Sequence, residues 1–562
     1  MNHKRAGGLF LPRCTRDFSE ARPTEDLTFL GGLNGFDLNI KSRFYQLFLG
    51  VAVAVILGHY PVAAATTKVR DLQVNNLPLQ GLSPPGRLRQ RQRLRSARTV
   101  TVKERSWTGT LFLSKSLTDL IGGEIYAVRI RGIENKAIAL NYRGEERLEL
   151  EDYQGAIEAF NEAIDIDPEY VGAYLNRGQA YFQMGSLEEA LSDWEKAIKL
   201  DPDNYLAYYH RGNLYYKQGD LKRAIADYDR AIELNDSDPR AYYGRGLARA
   251  KEDSIEGAIA DYNRAIELDA EYGEAYFNRG NALYSQGNLA EAIADYDRAI
   301  ELEPENALAY LNRGNALSGQ GLLEIALADY DKAIELKPNL DRAFYRRGIA
   351  HAKEKNYMQA IADYSQAIEL NPNAAAAYYQ RGIANAKAGL LDRALADYTK
   401  AIDLVPRNPL AYYNRGLVYS QLESLDRAIA DYAQAIEFNP EYVPAYQKRG
   451  LAYFSQGNLS QAIADYDKAL ELDPENASSY LNRGLVWAKQ DVIDRAIADF
   501  DEAIRLNPNY GEALGNRGIA RYQLGDIQNA IADTEKAAEI FRQQGDSAKE
   551  QRARDFLRQL KR

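Results

Sequence analysis

Between residues 137 and 542, small and aromatic positions return with the step of a helix. In Gly273–Asn306, Ala275, Tyr276, Arg279, Gly280 and Leu283 are spaced by one, three and four residues, so they share one stripe. Ala292, Tyr296 and Ala299 trace a second stripe on a second helix. Gly287 falls between the stripes, where a residue free to enter the left-handed region can close the first helix. Pro304 stops the second helix, because the residue before a proline is steered out of the helical region. The pattern predicts two short helices joined by a tight turn.

The same hairpin is written twelve times. Arg-Gly recurs at Arg143, Arg177, Arg211, Arg245, Arg279, Arg313, Arg347, Arg381, Arg415, Arg449, Arg483 and Arg517, always 34 residues apart. With Gly273 as position 1, position 8 is always Gly and positions 20 and 27 are always Ala. Position 3 is Ala except at Ser479, and position 24 is aromatic except at Thr534. Small residues at 8, 20 and 27 let the two helices approach, and the ring at 24 fills the space beside them. One such hairpin cannot bury its stripe alone, so neighbours must stack.

At Tyr276, Gly280, Ala292, Tyr296, Ala299 and Pro304 the chain resembles the tetratricopeptide repeat family, over about residues 137–542. The resemblance implies an all-α fold, a right-handed α-solenoid of about twelve 34-residue helix-turn-helix repeats. Residues 543–562 follow as a C-terminal capping helix, with Ala553, Phe556, Leu557 and Leu560 on one apolar face. Two departures stand out. Position 7, usually a large apolar residue in the family, is Arg in every copy, and Pro at position 32 gives way to Asp236 and Ala270 in two adjacent copies, which argues against a uniform superhelix there. Position 23 is Asp in every copy but one, where Ala159 stands. A ladder of Arg–Asp pairs between first and second helices is therefore expected, within a repeat or between neighbours.

By the resemblance, positions 2, 5, 6, 9, 12 and 13 of the first helices line a concave surface. That places Tyr209, Tyr243, Phe277, Leu311, Tyr345, Tyr379 and Tyr413 in a groove, with Asn278 and Asn414 beside them. Tyr and Asn offer rigid amphipathic area and amide hydrogen bonds, which suit a peptide backbone or a helix. Burial of position 5 between adjacent first helices is the alternative. One window is sharper: Asn281, Asn312, Arg342 and Arg346 match four of the five places at which some co-chaperone members of the family grip a terminal carboxylate, and Phe277 breaks the fifth. Guanidinium groups suit a carboxylate through paired hydrogen bonds.

Composition narrows the chemistry. One Cys and four His exclude a disulfide framework and argue against a Cys/His metal centre, and no metal or other cofactor is expected. Asp-Tyr-Asp triplets such as Asp295–Asp297 look metal-like, but residues two apart on a helix diverge. His210 and His351 read as ordinary helix residues. No phosphate loop, nucleophile elbow or His-Glu-x-x-His is present, so the expectation is that the chain is not an enzyme. Residues 1–135 hold 20 Lys/Arg against 10 Asp/Glu, and residues 136–562 hold 50 against 70. An acidic body argues against nucleic acid as a partner.

The amino-terminal part has its own signals. Lys41 and Arg43 precede an apolar run from Leu47 to Leu57, and Ala63-Ala64-Ala65 follows. Residues 1–65 read as a leader with a signal peptide or an anchor near 44–65, which would allow membrane association. The protein would then be exported, to the periplasm or another extracytoplasmic compartment, or membrane-anchored; a cytoplasmic location is the alternative. Residues 66–136 form a basic, partly disordered linker with six Arg in Arg87–Arg98, and residues 106–135 hint at two short strands. Together these features point to a non-catalytic scaffold that binds peptides or partner proteins on its concave face, with assembly of envelope or membrane complexes as the expected setting. The alternative is a regulatory or substrate-recruiting subunit of an enzyme carried on another chain.

Overall fold

A computed structural model of the chain describes residues 133–561. The expected leader, the Arg-rich arm and the expected strands up to residue 132 lie outside the described residues. The described part contains 25 helices and no strand. Its first helix, Ile133–Glu149, begins inside the segment expected to be linker. After Gly132 no Gly or Pro occurs until Gly144, so nothing in the sequence interrupts a helix there. Two units divide the chain between Ala282 and Leu283, and each is considered by itself.

The unit ending at Ala282 opens with Ile133–Glu149 and Tyr153–Ile166, then repeats the hairpin through Ile255–Leu268. The other unit runs from Leu289–Leu302 to Ser547–Leu560. In both, each helix packs on its neighbours in chain order, so a second helix lies between its own first helix and that of the next copy. This is the stacked helix-turn-helix architecture expected from the sequence.

The turn at position 15 is the same in every copy. Gly185, Gly219, Gly287, Gly321, Gly389, Gly457 and Gly525 have φ between 80 and 83° or close to it. Glu151, Asp253, Lys355, Glu423 and Asp491 adopt the same left-handed conformation, at φ of 57 to 65°. The amide after the turn then reaches a carbonyl five residues back, as Leu390 N–H does to Asn385 O at 2.8 Å. Loss of Pro at Asp236 and Ala270 leaves the helix ends in place. Asn235 and Asp269 still donate to Ala231 O and Ala265 O at 2.9 Å, and Asp238 caps the next helix ahead of Pro239.

The core is a column of alanines and rings. Ala224 and Ala231 are fully buried, as are Tyr228, Tyr262, Tyr296, Tyr330, Tyr364, Tyr398, Tyr432 and Tyr466. Position 8 must be Gly for a steric reason: a Cβ on Gly348 would sit 2.7 Å from the Tyr364 ring, and one on Gly246 would sit 2.6 Å from Tyr262. At the end of the array, Ala553, Phe556 and Leu560 of Ser547–Leu560 bury against Leu514 and Phe541, with Leu557 partly buried beside them. That helix closes the apolar face of the last hairpin, as a terminal cap must.

Candidate functional site

The arginine ladder is present, and it reaches further than the paired spacing suggests. Among the described residues, ten copies show the position-7 Arg donating two hydrogen bonds to the position-23 Asp of its own repeat. Arg313 does so to Asp329 at 2.8 and 2.6 Å. Its remaining nitrogen donates to Asp297 of the preceding repeat at 2.6 Å. The same third bond joins Arg279 to Asn263, Arg347 to Asp331, Arg381 to the Ser365 hydroxyl and Arg483 to Asp467. Each of these guanidiniums reaches back to the preceding second helix from its own first helix, while lying about 5.5 Å from the ring at position 4, as over Tyr310.

This resolves the Asp-Tyr-Asp triplets. Their first Asp takes the Arg of its own copy and their second takes the Arg of the next, so both serve packing. Where position 25 lacks an acceptor, at Ala433, Arg449 bonds only to Asp465. Position 11 supplies extra donors to the same aspartates: Arg249 to Asp261, Asn385 to Asp397 and Arg521 to Asp533, at 2.7 to 2.8 Å. His351 occupies that position in its copy, 3.9 Å from Asp363. His210 lies against Trp194 with ring centroids 5.5 Å apart, and its enclosure, followed by the charge of Arg240, pushes its pKa down to about 4.

The groove candidates at position 5 lie on the first helices within reach of the second-helix rings. Tyr209, Tyr243, Tyr345, Tyr379 and Tyr413 are half-buried, each ring leaning on the position-24 Tyr of its own copy at centroid distances of 5.9 to 6.3 Å. Burial raises the hydroxyl pKa of Tyr345, Tyr379 and Tyr413 above the ordinary value. Phe277 is also half-buried. Two expected groove residues are not available. Leu311 is 1 % exposed, packed into the core, and Asn414 is 8 % exposed with its amide donating to the Tyr379 hydroxyl at 2.8 Å. Asn278 makes the equivalent bond to Tyr243 at 2.9 Å. Positions 5 and 6 therefore lace consecutive first helices together, so much of their polar capacity is spent inside the array.

The clamp candidates divide between the units. Asn281 belongs to the unit ending at Ala282, where its amide lies 3.5 Å from Asn278. Asn312, Arg342 and Arg346 belong to the other. There, Arg342 is exposed and Arg346 stands one turn further along the same helix, Asp341–Lys353. The Arg346 charge opposes the rise that burial imposes on the Tyr345 and Tyr330 hydroxyls. Among the described residues no cluster of three or more His, Cys, Asp or Glu side chains could hold a metal ion, and no helix is long and apolar enough to cross a membrane.

Models of the TPR repeat match residues 144–185, 178–219, 212–253, 251–287, 280–321, 387–423 and 450–491, and models of the tetratricopeptide repeat match 307–340, 342–374, 409–442 and 487–548. The chain belongs to the tetratricopeptide repeat (TPR) family. As a TPR array it is a protein-interaction scaffold. No curated protein matches the chain. Among solved structures, YrrB, described as a TPR protein with an unusual peptide-binding site, is 30% identical; the match covers 33% of this chain and 95% of that one, with a TM-score of 0.30. The MamA protein is 29% identical over 31% of this chain and 96% of its own, with a TM-score of 0.30. The Cut9–Hcn1 tetramer of APC/C gives 16% identity over 79% of this chain and 99% of that one, with a TM-score of 0.38.

Proposed function

We propose that this TPR array is a non-catalytic docking scaffold that holds peptides or segments of partner proteins on its first-helix face. The supporting observation is where variation between copies falls. Positions 7, 8, 20 and 27 never change, position 23 is Asp but for Ala159, and position 24 is aromatic but for Thr534; all of them are used to join helices. Positions 2, 9, 12 and 13 on the first-helix face change from copy to copy, from Leu308 to Arg342 to Ala376 at position 2 alone. Partly exposed tyrosine rings beside those positions supply contact area at small entropic cost.

The test is selection of ligands from a random peptide library on the full chain, followed by photo-crosslinking from positions 379 and 413. Ligands that crosslink there support docking on this face; a library that yields none, or ligands that crosslink only to second helices, would remove it. The signal-like residues 38–65, outside the described part, are the reason to propose export or membrane anchoring, in the service of envelope or membrane assemblies. Cell fractionation with amino-terminal sequencing of the mature protein decides this: a cytoplasmic protein with an intact leader would exclude it.

A further inference from the structure

The arginine ladder has two ends, and they are finished differently. Inside the array a position-7 Arg draws on three neighbours: the Asp at position 23 of its own copy, the ring at position 4, and the acceptor at position 25 of the preceding second helix. Arg313 has all three, in Asp329, Tyr310 and Asp297. At the carboxyl end no ladder arginine follows the last second helix, Ile527–Gln543, whose position 25 is Glu535. Lys561, just past the capping helix Ser547–Leu560, answers that carboxylate at 2.7 Å. The last acceptor is thus closed by the chain's own terminal segment.

At the amino end Arg143 has none of the three. Ala159 stands where its own aspartate would be, Leu140 stands where the ring would be, and the described residues begin with its own helix, Ile133–Glu149. Arg143 is exposed and pairs with no carboxylate among the described residues. A second observation lies on the same side of that helix. Leu150, seven residues further on, is 79% exposed, more than any other large apolar side chain described. An unanswered ladder cation and an uncovered leucine therefore share the outer side of the first hairpin, where no neighbouring hairpin packs.

We propose that the chain's own residues 106–132 cover this side, with the Glu124 carboxylate on Arg143, closing the ladder here as Lys561 closes it at the other end. Reach allows it. Arg143 lies ten residues beyond Ile133, about 15 Å along the helix, and the nine steps from Glu124 to Ile133 span up to about 30 Å. Glu124 is the nearest carboxylate ahead of the helix, and Leu117, Leu120 and Ile121 supply apolar side chains for Leu150. Charge selects this occupant over an acidic segment of another protein. Residues 133–166 hold nine Asp/Glu against three Lys/Arg, whereas residues 1–132 hold 20 Lys/Arg against nine Asp/Glu. The hairpin around Arg143 would repel an acidic partner and attracts the basic upstream chain, which brings one carboxylate to the one open cation.

The test is hydrogen exchange of the full chain, read in Ile133–Glu149 and Tyr153–Ile166. Glu124→Gln and Arg143→Gln should each speed exchange there about threefold, as loss of an exposed ion pair does. The double variant should be no faster than either single one, because both remove the same interaction. Glu124→Arg/Arg143→Glu should exchange more slowly than Arg143→Glu alone, and Val443–Gln456 should exchange alike in all of them. A photo-crosslinker in place of Leu150 should join residues 106–132 of the same chain. Single variants that leave exchange unchanged, additive effects in the double variant, or crosslinks from position 150 only to a second copy or another protein would overturn the proposal.

Discussion

The sharpest test of how the array holds together is the pair Arg449–Asp465. Because Ala433 provides no acceptor, Arg449 has a single charged partner, at 2.7 and 2.9 Å, and the experiment removes one interaction at a time. Asp465 has only 7% of its side chain exposed, and burial raises its carboxyl pKa despite the pull of Arg449. Desolvation therefore outweighs the arginine at this carboxylate. Arg449→Leu leaves Asp465 without its partner, and removing one member of a buried pair costs about 3–5 kcal/mol. The Arg449 side chain is 20% exposed, so water softens the loss to about 2–4 kcal/mol. Arg449→Leu/Asp465→Leu removes the stranded charge as well, and is expected to return to within about 1 kcal/mol of the parent.

A whole-chain melting curve is a poor readout, since a repeat array need not unfold in two states. Native-state hydrogen exchange of the helices Val443–Gln456 and Leu459–Leu472 reports the local free energy instead. The sign with pH is a further check. A carboxylate whose folded pKa is raised becomes less costly as pH falls through that pKa, so the Arg449→Leu deficit should shrink on acidification. Equal exchange in the single and double variants, or a deficit that grows with acid, would refute the account of a ladder that fixes stacking without adding net stability.

Other outcomes follow from the same geometry. Glu423→Gly and Lys355→Gly relieve a left-handed conformation at φ 57 and 65°, and each should stabilise by about 0.5–1 kcal/mol by chemical denaturation, whereas Gly389→Lys should destabilise. Gly382→Ala places a methyl 2.8 Å from the Tyr398 ring and should cost about 1–3 kcal/mol; an unchanged denaturation midpoint would mean that the helices can part there freely. His210 has a folded pKa of about 4 against an ordinary 6.5, so acid favours the unfolded chain, and the penalty grows as pH falls from 6.5 toward 4. At about pH 5 it amounts to roughly 2 kcal/mol. In His210→Asn, exchange of Tyr205–Gln218 should lose that pH dependence, and parallel profiles in both proteins would contradict the burial of the imidazole.

The hairpins and their register were legible because Gly280, Ala292, Tyr296 and Ala299 and their counterparts repeat without drift. The Arg–Asp pairing was legible for the same reason. The third bond that many of the arginines make was not, because Asn161, Asp297, Ser365 and Thr399 share no residue type; what they share is an acceptor atom at position 25. The groove was legible only as a direction. Periodicity says which way positions 5 and 6 point, but not how closely the next first helix approaches, and that approach buries Leu311 and leads Asn414 to the Tyr379 hydroxyl.

That division of labour bears on what the scaffold can recognise. If stacking depended on the outward parts of the first helices, every change there would carry a packing cost, and twelve copies would be held alike. Here most stacking contacts lie elsewhere, in the alanines at 20 and 27, the ring at 24 over Gly at 8 and the guanidinium at 7, while positions 5 and 6 also join neighbouring first helices, as Asn414 does to Tyr379. A Cβ on Gly348 or Gly382 would sit 2.7 or 2.8 Å from its ring, so both copies pack equally tightly although position 2 differs, Arg342 against Ala376. Position 13 likewise changes from Lys353 and Lys387 to Gln421 and Ser455, while Arg415 and Arg449 keep their aspartates at 2.7 to 2.9 Å. Charge on the docking face is therefore uncoupled from the bonds that build the array, and a run of cations such as Arg342 to Lys387 can accumulate without disturbing the fold that presents it.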